Sequence, residues 1–245
     1  MKNVSRKGPI KLFSTSAWSF FKPRGATVQK YLSLAEMEPI PGLGPDEYAL
    51  LSDDRLFLTK QRLSMQVVEL LGSCVDVIRP VVVDSAQVLP QEVLDSVPKI
   101  SRGENYLGRP WTLLDYPRVF SKSDCFAFRT LCWWGQGFGC TLHLSGRFVD
   151  ALGSIFCSQG HLLADKGFSM GVNPDPWRHS FDHENYRPLI EIKSANDAMD
   201  DFVQRNGFLK LHRFLPLENW SQIQAFSKDT FSEIALTLKR GQSKI

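Results

Sequence analysis

Residues 126–146 read FAFRTLCWWGQGFGCTLHLSG, and this stretch decides the fold class. Its tip carries Gly135 and Gly137, and glycine readily adopts the positive φ angles that tight hairpin turns require. Apolar residues alternate on both sides of the tip, as expected for two strands that each bury one face. The symmetry about Gln136 predicts an antiparallel hairpin of residues 126–134 and 138–145.

The two faces of this hairpin differ in chemistry. One face is almost wholly apolar and is predicted to be core, with Phe128, Thr130, Cys132 and Trp134 opposite Leu144, Leu142, Cys140 and Phe138. The other face is mixed, with Arg129, Leu131 and Trp133 opposite His143, Thr141 and Gly139. Side chains directly opposite each other on paired strands interact, so this register places Arg129 across from His143 and Cys132 across from Cys140. The mixed face is therefore the first place to expect a pocket.

The pattern around the hairpin separates helices from strands instead of alternating them. Helices are predicted from Asp54 to Arg79-Pro80 and over 85–97, 147–157, 194–205 and 220–238, and strands over 111–116, 167–172, 189–192 and 208–214. Such segregation is typical of helices packed on one sheet. The sequence predicts an α+β fold. Its antiparallel or mixed sheet lies within about residues 110–215 and is packed by N-terminal and C-terminal amphipathic helices.

Charge is unevenly distributed along the 245 residues, whose net charge is +3. Residues 1–35 contain seven basic side chains and no acidic one, and the remainder carries a net charge of −4. The sequence thus predicts a basic N-terminal arm over residues 1–38 and a single α+β domain over residues 39–245. A basic, Ser-rich arm suits nucleic acid or an anionic surface, and organelle targeting by residues 1–25 is left open.

The five cysteines and the apolar runs bear on the compartment. The cysteine number is odd and no C-x-x-C pair is present, which argues against a disulfide framework and a zinc ribbon. No apolar run approaches the roughly 18 residues that span a bilayer. We therefore expect an intracellular, cytoplasmic protein without a transmembrane segment.

A candidate ligand site lies on the mixed face of the hairpin. Arg129 offers a planar fork for a carboxylate or phosphate, and Trp133 offers a stacking wall. His143 and Asp115, the latter on the preceding strand, complete the group. If Arg129 binds an anion there, replacing it by Ala should abolish binding and change stability by no more than about 1 kcal/mol, the scale of an exposed ion pair. The alternative is an ordinary ion pair on a solvated or helix-covered face.

A second candidate uses the segment His179-Ser-Phe-Asp-His183-Glu184. On a helix, His179 and His183 would lie one turn apart, as two zinc-ligating imidazoles do, and Glu184 could supply an oxygen. Prolines at 174, 176 and 188 leave room for only about three turns of helix. A polar loop without metal is the competing interpretation.

These observations favour a binding or interaction module over an enzyme with an evident catalytic centre. Its expected partner is a protein or a small anionic molecule, and nucleic acid is expected only through the N-terminal arm. The alternative is a metal-dependent hydrolase, or another enzyme, that uses the His179 and His183 cluster. No cofactor is indicated by the sequence.

Overall fold

The computed structural model describes residues 42–242. The chain divides into two compact units between Asp53 and Asp54. In the first unit, helix α1 (Pro45–Leu51) begins after Gly44, whose backbone N–H donates to the Glu47 carboxylate at 2.8 Å. This contact satisfies one of the backbone donors that a helix leaves free at its N-terminus. The predicted arm, residues 1–38, lies outside the described residues.

The second unit is built on one sheet of seven strands, all paired antiparallel. The strands are β1 (Lys99–Tyr106), β2 (Arg109–Phe120), β3 (Cys125–Trp133), β4 (Gly137–Ser145), β5 (Ser169–Gly171), β6 (Tyr186–Pro188) and β7 (Phe208–Pro216). Their spatial order is β1-β2-β3-β4-β7-β5-β6, so the first four form a meander and β7 joins the far side of β4. The predicted α+β class is confirmed, with a purely antiparallel sheet.

The helices of this unit cover one face of the sheet. They are α2 (Asp54–Val83), α3 (Gln91–Leu94), α4 (Arg147–Cys157), α5 (Gly160–Asp165), α6 (Ala195–Asn206) and α7 (Ile223–Gln242), with 3-10 helices at Leu189–Glu191 and Leu217–Gln222. The predicted N-terminal and C-terminal helices, α2 and α7, pack against each other and against the sheet. Among residues 42–242, every helix is too short or too polar to cross a membrane.

The predicted hairpin is confirmed, but its register was wrong by two residues. Its turn is centred on Gly135 instead of Gln136, so Arg129 pairs with Thr141, and Cys132 pairs with Phe138 instead of Cys140. Gly135 and Gly137 have φ angles of 70° and 145°, as a tight turn requires. Moving the centre by one position slides the strands by two, which keeps every side chain on its predicted face.

The apolar face of the hairpin forms the core beneath the helices. Phe128, Leu142 and Cys140 are fully buried there. The Phe128 ring lies 5.0 Å from the ring of Phe231 on α7, and Phe126 meets Phe148 of α4 edge-on at 5.8 Å. Edge-on aromatic pairs add stability to the burial of their apolar area.

Several element boundaries differ from the prediction. β1 was missed, because it is an edge strand whose residues are mostly polar and exposed on both faces. β2 continues through Pro117 to Phe120, with its pairing to β3 interrupted between Asp115 and Arg118, because a strand tolerates proline where the ladder is irregular. The predicted strand at 189–192 is a 3-10 turn, and the predicted helix at 85–97 is reduced to α3. α2 runs past Pro80 to Val83, where buried Val82 anchors its last turn.

Candidate functional site

The mixed face of the sheet is buried, although no helix covers it in the described part of the chain. We call it the polar face, and it comprises Asp115 on β2, Arg129 on β3, Thr141 and His143 on β4, and Lys210 and His212 on β7. The strand pairing aligns these residues across four neighbouring strands. All six are less than 9% exposed.

The polar face is covered by residues 172–185, which connect β5 to β6 and which we call the cover loop. Its aromatic side chains lie over the sheet. The Trp177 ring lies 5.2 Å from the ring of His143, and Phe181 stacks on His212 at 5.4 Å. The backbone N–H of His179 donates to the Tyr106 hydroxyl at 2.8 Å. The loop therefore excludes water from groups that a sheet surface would otherwise leave solvated.

Arg129 and Asp115 form a buried ion pair. Nε of Arg129 donates to Oδ1 of Asp115 at 2.7 Å, and Nη2 donates to Oδ2 at 3.4 Å. The side chains of Arg129 and Asp115 are only 10% and 8% exposed. The pair is therefore not the exposed ion pair on which the expectation of a small stability effect rested, and removing one partner would leave an uncompensated charge in the interior.

The remaining nitrogen of the guanidinium contacts the cover loop. Nη1 of Arg129 lies 3.1 Å from Nε2 of His179. A guanidinium can only donate, so Nε2 is the acceptor, and His179 is neutral with its proton on Nδ1. Burial, followed by the positive charge of Arg129, holds the pKa of His179 well below its ordinary value. The rings of Trp177 and Phe120 each lie 5.8 Å from the guanidinium carbon.

His143 is buried without a hydrogen-bond partner. It is 1% exposed, and neither ring nitrogen is hydrogen-bonded by any residue of the described chain. Burial, followed by the positive charges of Arg129 and Lys210, lowers the pKa of His143 to about 3. An unpaired buried polar atom costs about 1–3 kcal/mol, so this ring is a destabilising feature unless something binds it.

Lys210 is the second buried cation of the polar face. It lies directly opposite His143 in the β4–β7 pairing and is 1% exposed. Its Nζ donates to the backbone carbonyl of Arg178 at 2.5 Å and lies 4.9 Å from the centre of the Tyr186 ring. Burial, with the nearby charge of Arg129, lowers the pKa of the Lys210 ammonium to about 7.

His212 stacks with two aromatic rings. The Tyr186 ring lies 4.0 Å away and the Phe181 ring 5.4 Å away, and Nδ1 of His212 is 2.9 Å from the Thr141 hydroxyl. Burial lowers the pKa of His212 to about 3. A side chain at Gly139 would come within 2.6 Å of both His212 and Phe181, so the close approach of the loop requires glycine there.

The four predicted ligand residues are only partly brought together. Asp115 and Arg129 are bonded, and His143 shares their face and contacts the same Trp177 ring as Arg129. Trp133 lies elsewhere on this face, in a small apolar cluster where its ring is 5.5 Å from Phe181. Trp133 therefore supports the cover loop and does not face the guanidinium.

The segment proposed as a metal site forms a loop, not a helix. His179 faces Arg129, His183 is exposed, and Glu184 pairs with Arg178 at 3.1 Å. Within residues 42–242, no three His, Cys, Asp or Glu side chains are close enough together to hold a metal ion. The described chain therefore provides no ligand set for the predicted zinc-like arrangement of His179 and His183.

Charge is unbalanced on the polar face. In the described part of the chain, the only buried Asp, Glu, Lys or Arg side chains are Asp115, Arg129 and Lys210, and all three lie on this face. Lys210 and His212 were not predicted as site residues from the sequence. Residues 208–214 read FLKLHRF, in which Lys210 and His212 lie two positions apart and are separated by Leu211. This spacing indicates a strand with both basic side chains on one face.

Comparisons with known proteins add no relative: no family of proteins, no curated protein and no solved structure matches this chain. The site is therefore interpreted from its own chemistry.

Proposed function

We propose that this protein is a binding module that takes a small anionic ligand on the polar face of its sheet. The observation that carries the proposal is that two buried basic side chains, Arg129 and Lys210, share the polar face with one carboxylate, Asp115, which is the only buried carboxylate of residues 42–242. With a pKa of about 7, Lys210 is only partly charged, and a bound anion would favour its charged form. Burying a cation without a counter-charge is unfavourable, and an anion would offset that cost. His143 lies directly opposite Lys210 in the β4–β7 pairing, and its ring nitrogens have no hydrogen-bond partner among the described residues. These nitrogens also favour an anionic ligand on the polar face.

The cysteines of this chain are poorly suited to nucleophilic catalysis, which favours a binding role. The five cysteines are buried free thiols, and burial raises the pKa of Cys125, Cys132 and Cys140 to about 12, which keeps these thiols un-ionised and poorly nucleophilic. Such thiols stay reduced in the cytoplasm, where we expect the protein to act. A protein partner, and nucleic acid bound through residues 1–38, remain further proposals.

Thermal unfolding in phosphate tests this proposal. A ligand present at a hundred times its dissociation constant stabilises a protein by about 2.7 kcal/mol, which raises the melting temperature by about 5 °C in a chain of this size. We expect that rise in the wild type, relative to chloride at equal ionic strength. Lys210→Met should abolish it, because the variant removes one of the two buried cations.

The matched control is Lys193→Met, which removes an exposed lysine. It should retain the full phosphate response. Equal responses in the two variants would mean that phosphate acts through general ionic effects, and the proposal would then be wrong.

A further inference from the structure

Two consecutive residues of the cover loop supply neutral acceptors to the two buried cations. The carbonyl of Arg178 accepts from Nζ of Lys210, and Nε2 of His179 accepts from Nη1 of Arg129 at 3.1 Å. Both bonds join a basic donor to a neutral acceptor, so neither acceptor supplies a counter-charge. An anionic oxygen in the same position would add the attraction of opposite charges, which is strong where water is excluded.

A third donor lies between these two, and no residue of the described chain accepts from it. His143 is directly opposite Lys210 on one side and Ala127 on the other, and Ala127 lies two residues from Arg129 along β3. Directly paired Cβ atoms lie about 5 Å apart and diagonal ones about 7–8 Å apart, so the long Arg and Lys side chains can meet above the imidazole. The three donors come from three adjacent strands, β3, β4 and β7.

We propose that the polar face is a site for a tetrahedral oxyanion, such as phosphate or a phosphomonoester. The cover loop keeps the site closed by placing Arg178 O and His179 Nε2 where two of the ligand oxygens would bind. This inference rests on the proposed function. A tetrahedral oxyanion can direct a separate oxygen to each of Arg129, Lys210 and His143, whereas a planar carboxylate has two oxygens, both in one plane, and must share one of them between two donors.

The cover loop is held together by contacts of its own. Arg178 pairs with Asp182 and Glu184, each at 3.1 Å, and the Asn185 amide donates to the carbonyl of Ser180 at 2.7 Å. These contacts lie within the loop, so they can persist when the loop leaves the sheet as one piece. The contacts that must break include those to Lys210, Arg129 and the Tyr106 hydroxyl, the stacking of Phe181, and the packing of Trp177 against the polar face.

Binding of a tetrahedral oxyanion that does not itself titrate near neutral pH, such as sulfate, should also take up protons. Burial, Arg129 and Arg178 lower the pKa of Lys210 and Asp175 raises it, with a result of about 7, so a bound anion favours the charged form. Titrations in buffers of different ionisation enthalpy would measure this uptake as a buffer-dependent heat. Its direction separates the polar face from exposed lysines and arginines, whose ordinary pKa values keep them charged at pH 7.

The test compares His179→Ala with His183→Ala in the full chain. Both variants remove a histidine from the cover loop, but His183 is exposed, which makes it the matched control. Calorimetric titration would use inorganic phosphate, phenyl phosphate and acetate as probes. We expect His179→Ala to bind phosphate about tenfold more tightly than the wild type, because a competing acceptor has gone, and His183→Ala to bind as the wild type does.

Two further measurements need no loop variant. Acetate should bind the wild type at least about tenfold more weakly than phosphate, because it carries less charge and must share one oxygen between two donors. Hydrogen exchange of the backbone amides of residues 172–185 should speed up when phosphate is added, since the loop must leave the sheet. Phenyl phosphate distinguishes a site open to organic phosphomonoesters from one restricted to the free ion.

The outcomes separate this inference from the proposed function. If none of the three anions binds the wild type or His179→Ala, the proposed function is wrong, and this inference falls with it. If phosphate binds through Lys210 but His179→Ala changes neither its affinity nor the exchange of the loop, the binding module stands and the displacement of the loop is refuted. Acetate binding as tight as phosphate would refute the tetrahedral ligand alone.

Discussion

Acidification from pH 7 to pH 5 should destabilise this protein, and most of the effect should come from His143 and His212. Both rings are buried, and both have a pKa of about 3 in the fold, compared with an ordinary value of 6.5. Below pH 6.5 the unfolded chain binds protons at these sites and the folded protein does not. Stability is therefore present above pH 6.5 and is lost as the pH falls.

The magnitude follows from the linkage between proton binding and unfolding. A group whose pKa is 6.5 when unfolded and about 3 when folded loses about 2 kcal/mol of stability between pH 7 and pH 5. The two histidines together should therefore lose about 4 kcal/mol. His179 shifts in the same direction and adds to this loss. Domains are typically stable by only about 5–15 kcal/mol, so the loss is large.

His143→Phe isolates one of the two contributions. Phenylalanine retains an aromatic ring against Trp177 and Phe208 but cannot take up a proton. Urea unfolding at pH 7 and pH 5 should show that the variant loses about 2 kcal/mol less than the wild type over this range. At pH 7 the variant should be at least as stable, because it removes two unpartnered nitrogens.

The control is His161→Phe, which replaces an exposed histidine. Its loss of stability between the two pH values should match that of the wild type. If His143→Phe and His161→Phe behave alike, then His143 is not held neutral by burial. The claim that burial lowers the pKa values of the basic groups on the polar face would then be refuted.

Three further predictions concern the same face. Arg129→Ala should destabilise the protein by about 3–5 kcal/mol in urea unfolding, because Asp115 is left charged and buried. Adding Asp115→Ala should recover part of this loss, and an effect of Arg129→Ala below about 1 kcal/mol would contradict the buried ion pair. Gly139→Val should speed hydrogen exchange in the cover loop, because its side chain would collide with Phe181, and unchanged exchange would show that the loop tolerates the displacement. From pH 7 to pH 9, the wild type should gain about 2 kcal/mol of stability relative to Lys210→Met. Over this range Lys210 loses its proton in the fold, where its pKa is about 7, but keeps it in the unfolded chain, where its pKa is 10.5. A constant difference in stability would mean that the pKa of Lys210 is not lowered in the fold.

Local pattern was enough to predict most of the secondary structure. The hairpin, α4 and the long helices α2 and α7 follow from the spacing of apolar residues, which reports directly on which face of an element is buried. β1 could not be found in this way, because an edge strand buries too little for its sequence to alternate. The register of the hairpin depends on which residue lies at the centre of its turn. The symmetry of the apolar residues placed this centre at Gln136, one position after the observed centre at Gly135.

The sequence by itself determined that Arg129, Thr141 and His143 share one face of a sheet, since alternation along a strand is local geometry. It could not show that this face is buried. That outcome depends on a loop more than 25 residues away, which the fold brings over the sheet through Phe181 and His179. Whether Arg129 and Lys210 are solvated or deprived of water is set by these long-range contacts, and so are the pKa values of the polar face.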